Sequence, residues 1–343
     1  MRLIENRKGV VRFFLYNTEQ VLLYDDKIVI GNRVLPVNPS ENYNLENGVF
    51  FQMKNKGVCE YDLFRYDGSS FTEDSFRYET KKYFNSEQYC SFESEELDDE
   101  NVEVKISFVD KGNEIQFKIL SEMEYDVWGY DKKNEVLLLN SSYPCDSLLF
   151  YTKTGERLWE YQVEEGLEIY EDAIIVVDDI VVITCTKNTR NYSVEGFKLS
   201  TGEKVWEIYD VEHCRKKYVQ GSDKMLYSLM SFHSKDHTLD LRLTKLNPFT
   251  GDVEMTVLKE GNYWTHIWPW NTTIHGNKLF YTNLITEQGC SIGVVDLDKK
   301  ELIEDFPMES QGNQIEKPIV TDDKIYVRVR DLNELRIYEN EYK

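Results

Sequence analysis

Histidine and cysteine are the residues of this sequence best suited to bind a metal ion, and their spacing decides whether they can. His233 and His237 are four positions apart, which would place both on one side of a helix. The residues around them are typical of a loop between two strands, and no third ligand is evident. His213 and Cys214 are adjacent, so in a strand their side chains point to opposite faces. We therefore predict no bound metal.

Sequence patterns that support catalysis are also missing. A serine nucleophile on a tight strand-to-helix turn would appear as Gly-x-Ser-x-Gly, and phosphate binding by backbone amides requires a glycine-rich loop. Neither pattern occurs. Paired carboxylates give no guidance, because a chain with 62 Asp and Glu residues offers too many pairs. We predict a protein that is not an enzyme and uses no cofactor.

The densest aromatic stretch, residues 263–270, contains three tryptophans and one histidine at alternate positions. In an extended chain the side chains of Trp264, Trp268 and Trp270 share one face. That face could be buried between neighbouring sheets, as tryptophan commonly is. It could instead bind a partner at a surface, and Pro269 favours this second interpretation because proline limits strand pairing. We name Trp264, Trp268 and Trp270 as candidate partner-binding residues.

An acidic run at residues 93–100 is the second candidate surface. Nothing in the sequence fixes its geometry for a metal ion, so we interpret it as a solvated loop. Its carboxylates would attract a basic partner, and a second acidic stretch at residues 164–172 has the same character. The candidate partner-binding residues of the first run are Glu95, Glu96, Asp98, Asp99 and Glu100.

These residues must be positioned by strands, because the chain is organised as a repeat of apolar strands and tight turns. Residues 150–159 contain a strand, a Thr-Gly turn and a second strand with a tryptophan four positions after the glycine. Residues 197–206 repeat this arrangement, and residues 241–255 repeat it in part. The three turn glycines are 47 and 49 positions apart. A fixed period in this range predicts a repeat architecture.

Short apolar runs of strand type fill most of the chain between the turns. The last unit, residues 318–338, supplies only three strands, and residues 10–16 are a spare strand near the other end of the chain. Pairing the two would close a ring of sheets and leave only short, protected edges. We count about seven four-stranded units, with eight as the alternative. No linker interrupts the pattern, so we predict an all-β chain with residues 1–343 in a single domain.

The stretches at residues 150–159 and 197–206 resemble the repeat of β-propellers of the pyrroloquinoline-quinone type. The blades of that family carry Ala-x-Asp-x-x-Thr-Gly-x-x-x-Trp across their third and fourth strands. The resemblance is good in these two stretches, partial in residues 243–255 and 294–306, and limited to rhythm over residues 1–125. It implies a β-propeller in which the tryptophan packs between neighbouring blades.

The sequence departs from the family pattern at positions that matter for a cofactor. The aspartate of the family is Tyr151 in one blade and Lys198 in another, and its tryptophan is Met255 in a third. Quinoprotein dehydrogenases that resemble this repeat bind Ca²⁺ and often carry a vicinal cysteine pair, whereas this sequence has no adjacent cysteines. The resemblance thus implies the fold and not quinone binding. A quinoprotein-like enzyme, a small-ligand binder using the central channel, and a scaffold in a larger assembly are the alternatives.

The charge of the chain restricts its partners. The 40 Lys and Arg residues against 62 Asp and Glu residues give a formal net charge of −22. This charge disfavours nucleic acid and anionic membranes, whose binding depends on Lys and Arg, and it speeds encounter with a basic protein. We therefore predict a basic protein partner. In its most specific form the hypothesis is an immunity protein that neutralises a toxin or effector.

The ends of the sequence and its cysteines indicate a compartment. The first eight residues lack an apolar core and a cleavage site, so we expect no signal peptide. No apolar run approaches the roughly 18 residues that a membrane helix needs. The six cysteines form no Cys-x-x-Cys pair and are typical of free thiols in a reducing compartment. We predict a cytoplasmic protein that is a monomer on its own.

Overall fold

A computed structural model of the chain describes β-strands in eight antiparallel sheets. The residues that it describes are 1–16, 18–37, 41–46, 49–57, 60–77, 81–84, 88–97, 102–121, 125–141, 145–170, 174–187, 190–209, 217–233, 239–261, 271–286, 289–308 and 314–342.

The first four sheets follow one another along the chain. The first contains β2 (Arg12–Tyr16), β3 (Glu19–Leu23), β4 (Lys27–Ile30) and β5 (Arg33–Pro36). The second contains β6 (Glu41–Glu46), β7 (Val49–Gly57), β8 (Glu60–Tyr66) and β9 (Phe71–Arg77). The third contains β10 (Lys81–Tyr83), β11 (Gln88–Glu96), β12 (Val102–Asp110) and β13 (Asn113–Ser121). The fourth contains β14 (Tyr125–Asp131), β15 (Val136–Ser141), β16 (Ser147–Thr152) and β17 (Arg157–Gln162).

The remaining sheets continue this order, and the last one also takes in the N-terminal strand. The fifth contains β18 (Glu168–Ile169), β19 (Ile175–Val177), β20 (Ile180–Lys187), β21 (Arg190–Lys198) and β22 (Lys204–Ile208). The sixth contains β23 (Val219–Gln220), β24 (Leu226–His233), β25 (Leu239–Leu246) and β26 (Val253–Lys259). The seventh contains β27 (Thr272–His275), β28 (Lys278–Thr286), β29 (Gly289–Asp296) and β30 (Glu301–Pro307). The eighth contains β31 (Ile319–Val320), β32 (Lys324–Val329), β33 (Glu334–Glu339) and β1 (Leu3–Lys8).

The eighth sheet confirms that the N-terminal strand pairs with the C-terminal unit, although the strand differs from the expected one. Strand β1 pairs with β33, with Asn6 opposite Arg336. The stretch at residues 10–16, expected to fill this role, instead supplies β2 and begins the first sheet. The sequence did not predict strand β1, because the strand is mostly polar and exposed and therefore shows no apolar run. The number of sheets is eight, the alternative count.

The core consists of apolar clusters that lie between neighbouring sheets. Phe150 and Val181 belong to the cluster between the fourth and fifth sheets, and the same kind of packing joins each later neighbour up to the eighth sheet. Similar clusters join the third sheet to the fourth and the first to the second. The eighth sheet packs on the first through Phe13, Tyr326 and Ile337. Eight antiparallel sheets of four or five strands follow one another along the chain, with apolar packing between neighbours and β1 paired in the eighth sheet, so they correspond to the eight blades of a β-propeller.

Each tryptophan of the repeat packs against a turn of the following sheet. The Trp159 ring lies against Gly202, and its indole N–H donates to the Leu199 carbonyl at 2.7 Å. Trp206 repeats both contacts with the following sheet, lying against Gly251 and donating to the Pro248 carbonyl at 2.7 Å. The expectation that this residue packs between blades is confirmed. Its packing contact in the next blade is the turn glycine.

Candidate functional site

The connections between strands divide each sheet into two ends. When an antiparallel sheet pairs in chain order, the first-to-second and third-to-fourth connections lie at one end of it. We call this the turn end, and it holds the Thr-Gly turns with Gly155, Gly202 and Gly251. The second-to-third connections and the links between sheets lie at the opposite end, which we call the loop end. It holds residues 163–167 and 314–318.

The predicted aromatic candidates cannot be placed by the structure. Trp264, Trp268 and Trp270 lie outside the described residues, in the link between the sixth and seventh sheets. Whether their side chains pack between blades or face a partner stays a prediction.

The acidic candidates are only partly described. Asp98, Asp99 and Glu100 lie outside the described residues, and Glu96 ends β11. Glu95 is exposed and forms an ion pair with Lys105 at 3.0 Å. The hydrogen bond and the charge of Lys105 lower the pKa of Glu95 from its usual value. A carboxylate already paired in this way has less charge to offer to a partner.

The interpretation of residues 93–100 as a loop is wrong for its first half. Glu93 to Glu96 belong to β11 and pair with β12, where Glu93 faces Lys105 and Glu95 faces Glu103. Cations of the same sheet make a paired strand possible here, since Lys105 of β12 and Lys118 of β13 form ion pairs with the carboxylates. Charge alone suggested a loop, and the cross-strand lysines could not be assigned before the register was known.

A cavity of about 640 Å³ runs along the third sheet. Its polar lining includes Ser91, Lys105, Ser107, Glu114, Gln116 and Lys118. The two lysines are engaged with carboxylates of the same sheet, and Glu114 accepts a hydrogen bond from Gln116 at 2.9 Å. The cavity therefore offers hydrogen-bonding groups and charges of both signs.

A smaller cavity, of about 350 Å³, has an aromatic wall formed at the first strands of neighbouring sheets. Phe84, Trp128 and Tyr130 line it, together with Asp131. The rings of Phe84 and Tyr130 are 5.3 Å apart, which fixes this side of the cavity. Burial, with help from nearby carboxylates such as Glu135, raises the pKa of Tyr130 to about 12. Tyr130 is therefore a neutral phenol at physiological pH and cannot act as a base.

The described cysteines are free thiols, and three of them lie in surroundings that suppress the thiolate. Cys185 is completely buried, and burial raises its pKa to about 11. Burial also raises the pKa of Cys90 and Cys290. Because the thiolate is the reactive form, these three groups are unreactive near neutral pH.

Within the described ranges, no group of three or more His, Cys, Asp or Glu side chains is arranged to hold a metal ion. His237, His213 and Cys214 lie outside those ranges. The part of the chain that the structure covers also contains no helix that is long and apolar enough to cross a membrane.

Sequence reasoning missed one feature that the structure brings together, the aromatic wall around Trp128 and Tyr130. Its only signal was the aromatic density of β14. The third ring of the wall, Phe84, comes from the preceding sheet, so no local motif could have pointed to it.

Comparison with known proteins finds similarity among solved structures and not among family models or curated sequences. No protein-family model matches this sequence, and no curated protein sequence matches it. Similar solved structures include the β-propeller domain of Cps50 (Swd1) from Myceliophteria thermophila, at 10% identity, 98% coverage of this chain, 99% of that chain and a TM-score of 0.45. A europium-containing methanol dehydrogenase is similar at 11% identity, with 94% and 84% of the two chains covered and a TM-score of 0.47.

A prolyl endopeptidase is similar at 14% identity over 84% of this chain, with a TM-score of 0.47. This chain spans only 45% of the length of that enzyme. At such identities the activities of these proteins do not carry over. The resemblance to the pyrroloquinoline-quinone-type repeat holds for the fold, where the Trp159 and Trp206 contacts account for the repeated residues.

Proposed function

We propose that this β-propeller binds another protein and blocks its activity without catalysing a reaction itself. The proposed partner is a basic toxin or effector, which the chain neutralises as an immunity-type inhibitor. The net charge of −22 supports this choice, because a field of that sign accelerates encounter with a basic protein and repels acidic competitors.

The observation that carries the proposal is the acidic segment, which we define as residues 164–168. Glu164, Glu165 and Glu168 are exposed there. Among the described residues, no cation lies within ion-pair distance of these three carboxylates. The segment therefore presents three uncompensated negative charges at the loop end, between the fourth and fifth sheets.

The acidic segment is held in place by its neighbours. The amide of Val163 donates to the Asp146 carbonyl at 2.9 Å, and the amide of Ile169 donates to the Cys145 carbonyl at 2.6 Å. Val163, Leu167 and Ile169 are buried in the core between the two sheets. Because the backbone is fixed before binding, a partner that pairs with these carboxylates does not bear the full entropic cost of ordering them.

The test begins with affinity capture from a lysate of the source cells and continues with the purified pair. The charge-reversed variant Glu164→Lys/Glu165→Lys should bind the partner at least about tenfold more weakly, since exposed charges at an interface act mainly through electrostatic complementarity. The matched control is Glu156→Lys/Glu301→Lys, which changes the net charge equally at exposed positions away from the acidic segment. The control should bind almost as well as the wild type.

Three outcomes would overturn this proposal. The first is equal weakening by the variant and its control, which would mean that only total charge matters. The second is an affinity that does not change between about 0.05 and 0.5 M salt, where screening should remove most of the attraction. The third is a partner whose toxicity to growing cells is unchanged when this protein is co-expressed.

The aromatic cavity favours a second candidate function, the binding of a small ligand at the first strands. Its volume of about 350 Å³ lies at the lower end of the range of ligand pockets. If the cavity binds a quinone, mixing the quinone and Ca²⁺ with the wild-type protein should change the absorbance spectrum of the quinone. Mixing them with Trp128→Ala should leave that spectrum unchanged. Unperturbed spectra together with absent dehydrogenase activity would remove the quinoprotein alternative.

A further inference from the structure

The aromatic cavity, of about 350 Å³, lies around the first strand of the fourth sheet, towards the turn end. Gly129 of β14 lines it, and a Cβ atom built on Gly129 would meet nothing within 4 Å. The pairing of β14 with β15 shifts between Val127 and Gly129, so Trp128 is the extra residue of a β-bulge. The bulge and the bare glycine together leave open space beside this strand.

The bulge directs two aromatic side chains of β14 to opposite faces of the sheet. Trp128 packs against the cluster between the fourth and fifth sheets, as does Val176. Tyr130 packs against the cluster between the third and fourth sheets, where its ring is 5.3 Å from the ring of Phe84. All three rings are half-buried and line the same cavity. Gly129 therefore has aromatic side chains on both sides.

Asp131 is the one charged residue among the described residues that line the cavity. Its carboxylate accepts hydrogen bonds from the side-chain amide of Asn134 at 2.7 Å and from the backbone amide of Lys133 at 3.2 Å. Both donors are neutral, and no cation in the described part of the chain lies within ion-pair distance of Asp131. The carboxylate therefore keeps its negative charge beside the rings.

Neighbouring carboxylates give the cavity the same sign of potential. Burial, followed by the charges of Glu135, Asp110 and Asp131, raises the pKa of Tyr130 to about 12. Glu135 is paired with Lys153 at 2.6 Å, so the charges of Asp110 and Asp131 are the less compensated ones. A negative potential that opposes the phenolate form of Tyr130 favours a cation at the same place.

Contacts between turns hold this side of the cavity in place. The side-chain amide of Asn134 also donates to the Asp178 carbonyl at 2.5 Å, and Lys133 pairs with the Asp178 carboxylate at 2.6 Å. Lys224 pairs with the same carboxylate at 2.5 Å. The turns that follow β14, β19 and β23 are therefore joined. This fixes Asp131 relative to the fifth sheet and lowers the entropic cost of binding a ligand.

Aromatic rings combined with a single carboxylate favour one class of cation. A primary ammonium carries three N–H donors and would lose hydrogen bonds to water against the rings, Leu138 and Val176. A methylated ammonium presents methyl groups to apolar side chains and its positive charge to the rings, which is how proteins recognise quaternary ammonium ligands. We propose that the aromatic cavity binds a methylated ammonium group, whose charge is balanced by Asp131. This inference rests on the second candidate function, ligand binding by this cavity, and is independent of the acidic segment.

Isothermal titration of the purified chain at constant ionic strength tests the proposal with two matched probes. One is choline, and the other is its neutral analogue, in which a carbon atom replaces the charged nitrogen. Choline should bind at least about tenfold more tightly than the neutral analogue, because only choline has a charge to place against the rings and the carboxylate.

A blocked trimethyllysine, titrated in the same way, distinguishes the two sources of such a group. Binding weaker than that of choline indicates a free small molecule as the ligand. Binding at least as tight as that of choline indicates a methylated side chain of a protein.

Variants of the cavity supply the second part of the test. Asp131→Asn removes the charge and keeps an oxygen that can accept from Asn134, so it should fold and bind choline at least about fivefold more weakly. Trp128→Leu should weaken binding about as much, and Trp128→Phe, which keeps a ring, should bind more tightly than Trp128→Leu. Asp26→Asn removes an exposed carboxylate at the loop end and should leave choline binding unchanged.

Equal binding of choline and its neutral analogue would overturn the proposal, although the cavity would remain a site for uncharged ligands and the second candidate function would survive. Failure of both choline and trimethyllysine to bind would overturn it as well. Equal weakening by Asp131→Asn and Asp26→Asn would show that choline responds only to the net charge of the chain, which also contradicts a site at Asp131.

Discussion

At the scale of single residues, the contact between a tryptophan and the glycine of the next turn explains why the repeat keeps these two types. A Cβ atom built on Gly202 would lie 2.6 Å from the Trp159 ring, which is closer than any real contact. The backbone of Gly202 has φ +72°, a conformation that costs other residues roughly 1–2 kcal/mol. The glycine is therefore required twice, once by the turn and once by the neighbouring sheet.

Gly202→Ala should lower the free energy of unfolding by about 2–4 kcal/mol, the sum of backbone strain and overpacking. Gly112→Ala is the control, because Gly112 also has a positive φ, +80°, in the turn between β12 and β13, and nothing lies near its added Cβ atom. The control should cost only the strain, about 1–2 kcal/mol. Urea unfolding measures both, and equal losses would show that Trp159 does not enforce the glycine.

Asp67 makes a residue-scale prediction about pH. Hydrogen bonds from the Ser70 amide at 2.9 Å, and from the Ser69 hydroxyl and amide, lower the pKa of this exposed carboxyl to about 2. A carboxyl whose folded-state pKa is lowered stabilises the fold above its unfolded pKa, and this stabilisation is lost as the pH falls towards the folded value.

Asp67→Asn should therefore unfold at a lower temperature than the wild type at pH 7. The difference should begin to shrink as the pH drops below about 4, the ordinary value for an aspartate, and should be largely gone near pH 2. Asp26→Asn changes another exposed carboxylate as a control. A wild-type advantage that is constant from pH 7 to pH 3 would contradict the assignment, as would an Asp67 pKa near 4 by NMR titration.

At the scale of strands and turns, the sequence predicted best where apolar alternation and turn chemistry agree. The Thr-Gly turns, the strands around them and the packing of Trp159 and Trp206 could all be derived before the structure was known. The structure also shows what replaces the tryptophan and glycine contact where the pattern is lost. The seventh sheet replaces the turn glycine with lysines, and the preceding sheet carries Met255 in place of the tryptophan. An ion pair between Lys300 and Glu254 joins the two sheets there instead.

The elements that escaped prediction share a physical cause, which is that their partners are distant in sequence. Strand β1 is polar and gains its identity only from pairing with β33. The acidic residue Glu95 lies in a strand because Lys105 of β12 neutralises it. A local sequence pattern can predict a strand or a turn, whereas these features arise from contacts between strands that are far apart in the sequence.

Deleting residues 1–8 tests the contribution of β1. The deletion removes every β1–β33 pair and the ion pair between the N-terminal amine and Glu304 at 3.2 Å, and it leaves β33 as an unpaired edge. The truncated protein should unfold at a clearly lower temperature and associate in size-exclusion chromatography. Glu5→Gln/Arg7→Gln keeps the strand and removes its ion pair and the hydrogen bond from Arg7 to Gln20 at 2.9 Å, so its stability should change by no more than about 1–2 kcal/mol. A truncated chain as stable and monomeric as this control would mean that β1 is dispensable.

At the scale of the whole molecule, self-repulsion competes with the ion pairs that join the sheets. The net charge of −22 favours expansion of the chain, while exposed pairs such as Lys133–Asp178 and Lys224–Asp178 each contribute little, because solvent screens them. Salt weakens both the repulsion and the ion pairs. We expect it to weaken the repulsion more, because repulsion acts among all the excess acids, whereas each ion pair involves only a few groups. The unfolding temperature should therefore rise between about 0.02 and 0.3 M sodium chloride, over which the screening length falls several-fold.

Calorimetry at pH 8 measures the rise, and repeating the series near pH 5 supplies the control, because the net charge there is close to zero at the sequence pI of about 4.7. A fall in unfolding temperature with salt at pH 8 would show that the ion pairs between sheets outweigh the repulsion.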